Sequence, residues 1–252
     1  MLNEKVAGTV SGFGEVIRTV IYALIIALGI RTLAYEPFSV PSESMLPTLL
    51  VGDYFFVSKY SYGYSKHSLP FSPDMFAGRV MEGIPNRGDI AVFKTPADNQ
   101  TDFVKRIIGL PGDTIQMREG TLYVNGEEAK RERVEDFRDV DIFGNVKLVP
   151  QYRETLPSGV SYMVLDIRTT PQDNTGIFSV KPGHYFAMGD NRDNSQDSRF
   201  NSLGAVGQVP AENLVGRAEI LFFSTDRSGP WWQVWRWPVM IRYSRIFDSL
   251  RS

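Results

Sequence analysis

From Val16 to Ala34 the chain is apolar except for Thr19, Tyr22, Thr32 and two arginines, Arg18 and Arg31, that fall near the ends of the run. This stretch limits the possible folds more than any other. A helix crosses a bilayer with roughly 20 apolar residues, and arginines near its ends can reach the headgroups. A cleaved leader is the rival reading. The run passes directly into Tyr35-Glu36-Pro37-Phe38 with no small-x-small cleavage pattern, which favours an uncleaved anchor. A buried helix of a soluble protein fits less well with the two arginines. Lys5, Arg18 and the terminal amine precede the span and Arg31 follows it, a lean towards a cytoplasmic N-terminus.

Beyond the anchor, helical periodicity gives way to short strand-like runs: Tyr54–Val57, Ile90–Phe93, Thr114–Met117, Thr121–Val124, Ser161–Leu165, Tyr185–Met188 and Ala218–Phe223. Gly52-Asp53, Gly88-Asp89 and Gly112-Asp113 each precede such a run, as turns do when glycine frees the backbone and aspartate caps it. Asn125-Gly126 between β-like flanks predicts a hairpin. The expected fold is mainly β, with one N-terminal transmembrane helix. Residues 1–15 form an N-terminal cytoplasmic segment, 16–34 the anchor, and 35–118 with 183–225 an antiparallel β core. Residues 119–182 form a smaller inserted β region, and 226–252 a Trp/Arg-rich membrane-proximal tail. Ser58 to Pro85 reads as a long surface excursion. All four tryptophans lie in Trp231-Trp232-Gln233-Val234-Trp235-Arg236-Trp237, where interfacial docking on lipid and ordinary core packing compete.

Composition removes several classes of function. A net charge of −2 gives no concentrated basic surface for nucleic acid. The absence of cysteine excludes disulfides, thiolate nucleophiles and thiolate metal sites. With only two histidines, His67 and His184, neither beside a serine motif, a zinc site or a Ser-His-Asp triad is disfavoured. No metal or cofactor is expected.

The chemistry is concentrated in two short segments, Pro41-Ser42-Glu43-Ser44-Met45-Leu46-Pro47-Thr48 and Phe103-Val104-Lys105-Arg106. Pro41 and Pro47 oppose a continuous helix around Ser44 and favour a stiff loop. A serine becomes a nucleophile when a base takes its proton, and a lysine is that base only if its surroundings keep it neutral. Burial after Phe103-Val104 would do so. Taken alone, any serine is far more often a turn or surface residue.

With Arg87-Gly88-Asp89-Ile90-Ala91-Val92-Phe93 and Gly189-Asp190-Asn191-Arg192-Asp193-Asn194-Ser195, these ordered motifs make the chain, from Glu36 to about Phe223, strongly resemble bacterial type I signal peptidase, a membrane-bound serine endopeptidase. The resemblance implies Ser44 as nucleophile, Lys105 as general base, Ser42 and the Ser44 backbone N–H as oxyanion hole, and Ser195 as the group orienting the lysine. It implies supporting roles for Arg106, Asp190, Asp197 and Arg199, and substrate pockets walled by Phe38, Val40, Met45, Leu49, Phe55, Phe103 and Val104. Each of those apolar residues is core by default. The implied partners are secretory preproteins, cut after small residues at positions −1 and −3, and membrane lipid. A single-pass monomer in the bacterial inner membrane, its catalytic part outside, is expected. Two rivals remain: a self-cleaving Ser-Lys peptidase, opposed by the anchor and the Gly-Asp-Asn-Arg box, and a tethered β-domain that binds secreted proteins without catalysis. Glu43, between the two key serines, stands where many relatives carry a smaller residue; it either disfavours the oxyanion or points into solvent.

Overall fold

The structure, a computed structural model, describes residues 2–69, 72, 78–140, 145–200, 204–229 and 232–251, with side chains from Phe13 onward. Helix α1 (Leu2–Leu33) covers the apolar run as far as Leu33 and continues beyond it towards the N-terminus. Its Phe13–Leu33 portion is long and apolar enough to cross a membrane by length and composition, and its most apolar 18-residue window is not buried against the rest of the chain. Its last turn is tied to the body: Glu36 accepts ion pairs from Arg31 at 3.3 Å and Lys59 at 2.9 Å, and the Tyr64 hydroxyl donates to Leu33 O at 2.5 Å.

The strands follow in chain order: β1 (Tyr35–Ser39), β2 (Asp53–Ser58), β3 (Ile90–Lys94), β4 (Asp102–Gly109), β5 (Thr114–Arg118), β6 (Thr121–Val124), β7 (Glu127–Glu128) and β8 (Lys130–Arg133). After them come β9 (Phe137–Val140), β10 (Val146–Val149), β11 (Gln151–Thr155), β12 (Ser161–Leu165), β13 (Phe178–Ser179), β14 (His184–Met188), β15 (Val209–Pro210) and β16 (Leu214–Ser224). The main sheet has seven strands in the order β1-β2-β16-β3-β4-β14-β15, and its pairings are antiparallel. Smaller sheets β13-β5-β6-β7 and β12-β11-β8 and the hairpin β9-β10 fill the interval between β4 and β14. The mainly β expectation holds, and the seven sequence-read strands all appear within a few residues of their expected ends.

The main sheet is apolar on both faces, as β3 shows. Ile90 and Val92 join Phe55, Val57 and Leu221 in one cluster, while Ala91 and Phe93 join Ile107, Tyr185 and Val209 in another, the separation that period-2 alternation demands. The smaller sheets share a third core with the main one, since Ile115, Leu122 and Val164 pack with Ile108 of β4 and Phe186 and Met188 of β14. Removing a buried leucine or isoleucine side chain from such a core costs about 2–5 kcal/mol.

The three Gly-Asp pairs work as one repeated device. Gly52, Gly88 and Gly112 have φ of 91°, 100° and 92°. The following Asp53, Asp89 and Asp113 carboxylates accept the backbone N–H of the residue three positions earlier, Leu50, Asn86 and Leu110, at 2.8, 3.0 and 2.6 Å. At Asn125-Gly126, φ values of 54° and 82° make the expected hairpin turn between β6 and β7. Of the surface excursion expected from Ser58 to Pro85, residues 70, 71 and 73–77 lie outside the described residues and Val80, Met81 and Ile84 are exposed as expected, but the early part differs. Tyr62, Ser65 and Ser68 are buried because Tyr62 reaches Asp89 at 3.1 Å and the Lys59 ammonium donates to Ser68 O at 2.6 Å, which folds the segment onto the sheet. In the tail, Trp232, Trp235 and Trp237 are exposed, and Trp231 lies outside the described residues.

Candidate active site

Ser44 sits in the loop between β1 and β2, where the prolines forbid a helix and the Leu46–Pro47 bond is cis. Lys105 lies on β4 opposite Ala91 of β3, so an inner strand of the main sheet fixes its backbone. Both side chains are buried. The Lys105 Nζ is 2.6 Å from Ser44 Oγ and 3.0 Å from Val104 O, and it lies 5.2 Å from the centre of the Phe103 ring. Ser42 Oγ stands 3.4 Å from Ser44 Oγ.

Burial drives the Lys105 pKa down to about 8, against the opposing pull of the Asp197 and Asp190 carboxylates. Burial prevails because those carboxylates are already engaged. Arg106 binds Asp190 through two bonds, Nε to Oδ1 at 2.8 Å and Nη2 to Oδ2 at 2.7 Å. Arg199 binds Asp197 the same way, both at 2.9 Å, and the Gly189 N–H adds a bond of 3.0 Å. Burial would raise the Asp197 pKa, but these partners hold it below the usual carboxylate range. Breaking a buried pair of this kind by removing one partner costs about 3–5 kcal/mol.

The four motifs therefore meet in space. Ser195 Oγ is buried, near enough to the Asp197 carboxylate to help hold it ionised but without a well-formed hydrogen bond, and none joins it to Lys105. Of the expected pocket walls, Phe38, Val40, Met45, Leu49, Phe55 and Val104 gather in one apolar cluster beside the Ser44 loop. Phe103 packs in the cluster of the opposite face. His67, buried and bonded to Ser72 at 3.3 Å, and His184, bonded to Pro182 O at 2.9 Å, take no part.

Other residues hold the site together without having been singled out from sequence. Thr48 donates to Asp190 at 2.6 Å, Asn191 N–H to Ser44 O at 3.1 Å, and Asn191 Nδ2 to Glu43 O at 3.1 Å, so the box after β14 clamps the Ser44 loop. Gly189 permits that approach: a Cβ there would stand 2.2 Å from Ser195 Oγ and 2.5 Å from Ser44 O. Arg192 and Glu154 form a buried pair at 2.5 Å that fastens the box to β11. The signal for Thr48, Gly189 and Asn191 was their membership of the motifs; nothing in the sequence marked Glu154.

Residues 13–223 match the model of the family described as Signal peptidase, peptidase S26. The chain belongs to this family, and it is a serine endopeptidase, a hydrolase. It is 41% identical to Signal peptidase I of Rickettsia typhi (strain ATCC VR-144 / Wilmington), with 91% of this chain and 90% of the relative aligned. It is 40% identical to Signal peptidase I of Rickettsia prowazekii (strain Madrid E) over the same shares. Among solved structures, a signal peptidase I from Enterococcus faecalis V583 is similar at 28% identity, covering 53% of this chain and 95% of that one with a TM-score of 0.30.

Proposed function

We propose that this chain removes signal peptides from secreted preproteins, with Ser44 as nucleophile and Lys105 as general base. One observation carries the reading: a buried lysine with a pKa near 8 stands 2.6 Å from a buried serine hydroxyl. Neutral Lys105 takes the Ser44 proton as Oγ attacks the scissile carbonyl. The oxyanion is met by the Ser42 hydroxyl and the Ser44 backbone N–H. Collapse passes the proton from Lys105 to the departing amine and leaves an acyl-enzyme on Ser44. Water, deprotonated by Lys105, then releases the signal peptide. Ser195 bears on the lysine through Asp197, beside which its buried hydroxyl lies, and the paired Arg106–Asp190 and Arg199–Asp197 hold the frame.

The apolar cluster of Phe38, Val40, Met45, Leu49, Phe55 and Val104 supports recognition of small side chains at −1 and −3. Strand β1 is the end strand of its sheet, so an extended signal peptide has an edge to pair with. That same strand begins two residues after α1 ends, which keeps the site close to the end of the anchor. The anchor spans the inner membrane once, with the catalytic part on its outer face, and the exposed tryptophans of the tail rest against lipid.

The test is cleavage of an Ala-x-Ala preprotein by purified full-length chain, compared with Ser44→Ala and Lys105→Met. Only the unaltered chain should cut. Equal cleavage by all three would overthrow the dyad, and no cleavage by any would favour a non-catalytic binding role.

A further inference from the structure

The Ser44 loop divides two different environments. Met45 packs into the apolar cluster with Phe38 and Val40, while the next residue, Leu46, packs with Val149 and Leu165. Acyl transfer sends the two halves of an extended substrate in opposite directions from the scissile carbonyl. If the acyl half occupies the apolar cluster, the released half lies on the Leu46 side.

That side holds a recess of about 210 Å³ with a different chemistry, bounded by Glu43, Asp139, Lys147, Arg168, Asp193 and Asn194 among others. Its charged groups are three carboxylates against two cations. Glu43 is the one adjoining the nucleophile, and it is held in place. Asn194 Nδ2 donates to its Oε2 at 2.9 Å, and Asn191 Nδ2 grips its backbone carbonyl at 3.1 Å. Among the described residues no lysine or arginine forms an ion pair with Glu43, which is exposed. Burial, not Glu43, sets the Lys105 base, since the carboxylates that act on it are Asp197 and Asp190. Glu43 therefore stands beside the site in no ion pair among the described residues, its carboxylate bonded to Asn194 and lining the recess rather than approaching Lys105.

We propose that Glu43 and this recess form the subsite for the first two residues of the released chain, and that it selects by charge, favouring a lysine or arginine there and disfavouring an aspartate or glutamate. The proposal rests on the cleavage reading above. An exposed carboxylate acting on a mobile side chain contributes modestly, so the swing between a cation and an anion at the favoured position is roughly tenfold in kcat/KM, and screening at 1 M salt shrinks it.

The experiment uses the full chain in detergent micelles and peptides identical up to an Ala-x-Ala cut, carrying Lys, Ala or Asp at the first or the second position after it. The unaltered chain should cut the Lys peptide about tenfold faster than the Asp peptide at one of the two positions. In Glu43→Gln that ratio should fall to about threefold or less, and in Glu43→Lys it should drop below one. Equal cleavage of Lys and Asp peptides, a preference for Asp, or the same ratio in all three chains would overturn the subsite while leaving cleavage intact. Failure to cut even the Ala peptide would overturn the cleavage reading, and this one with it.

Discussion

The reactivity of Lys105 can be tested through pH alone. With a pKa of about 8, roughly one molecule in ten carries a neutral Lys105 at pH 7 and about nine in ten at pH 9. On the proposed dyad the neutral form is the base, so the rate should rise with pH. kcat/KM for a fluorogenic Ala-x-Ala peptide should climb about tenfold between pH 7 and pH 9 and then level off. A lysine at its ordinary pKa near 10.4 would behave differently, climbing about a hundredfold over the same interval and still rising at pH 10. The difference comes from burial, because the two nearby carboxylates pull the pKa the other way. The assay is a profile of initial rates at low substrate from pH 6 to 10.5, in one detergent and at constant ionic strength. A log-linear rise of unit slope through pH 10 would refute the argument that burial prevails over Asp190 and Asp197. A flat profile from pH 6 upward would refute Lys105 as the base.

Four further outcomes follow from the same geometry. A lysine with a lowered pKa in the fold binds fewer protons than in the unfolded chain, so its charge penalises folding below pH 8 and the penalty fades between about pH 8 and 10.4. Lys105→Met should therefore be more stable than the parent by about 3 kcal/mol at pH 7 and by almost nothing on this account at pH 11, read from denaturant midpoints in micelles; a pH-independent difference would contradict it. Gly189→Ala forces a methyl against Ser44 O and Ser195, and should cost about 1–3 kcal/mol of stability and at least tenfold in kcat; thermal melts and rates matching the parent would show that the clamp yields freely. Ser42→Ala should lower kcat about a hundredfold with KM and stability little changed, as loss of one oxyanion donor does; an unchanged kcat in a single-turnover assay would remove Ser42 from that role. Because all four tryptophans lie in the tail, intrinsic tryptophan fluorescence reports on it alone. In proteoliposomes lipids brominated near the headgroup should quench that emission, and quenching equal to that in bromide-free lipid would place the tail away from the bilayer.

How much of this was readable beforehand depended on the range of each interaction. The anchor, the seven strand-like runs and the Asn125-Gly126 hairpin are local: each is set by periodicity or by a turn residue within a few positions. Strands such as β8 (Lys130–Arg133) and β9 (Phe137–Val140) were not, because their charged residues lack apolar alternation and the strands exist by pairing with β11 and β10. The early part of the expected Ser58 to Pro85 excursion, around Tyr62 to Ser68, was misread for a similar reason, since long-range contacts such as that from Tyr62 to Asp89 decide that it packs inward. The candidate site was legible as residue types in order, but what would let Lys105 act as a base was not. Asp190 and Asp197 in the sequence are two negative charges that would stabilise a lysine cation and spoil it as a base. The fold places each against an arginine, Arg106 from the residue after Lys105 and Arg199 from two residues after Asp197, in bidentate pairs. Those pairs offset the carboxylates, while the clamp of Gly189 and Asn191 on the Ser44 loop keeps the lysine buried. A depressed pKa is thus a property of three chain segments held together, and any change that loosens the clamp should move the rate profile towards that of an ordinary lysine before it unfolds the protein.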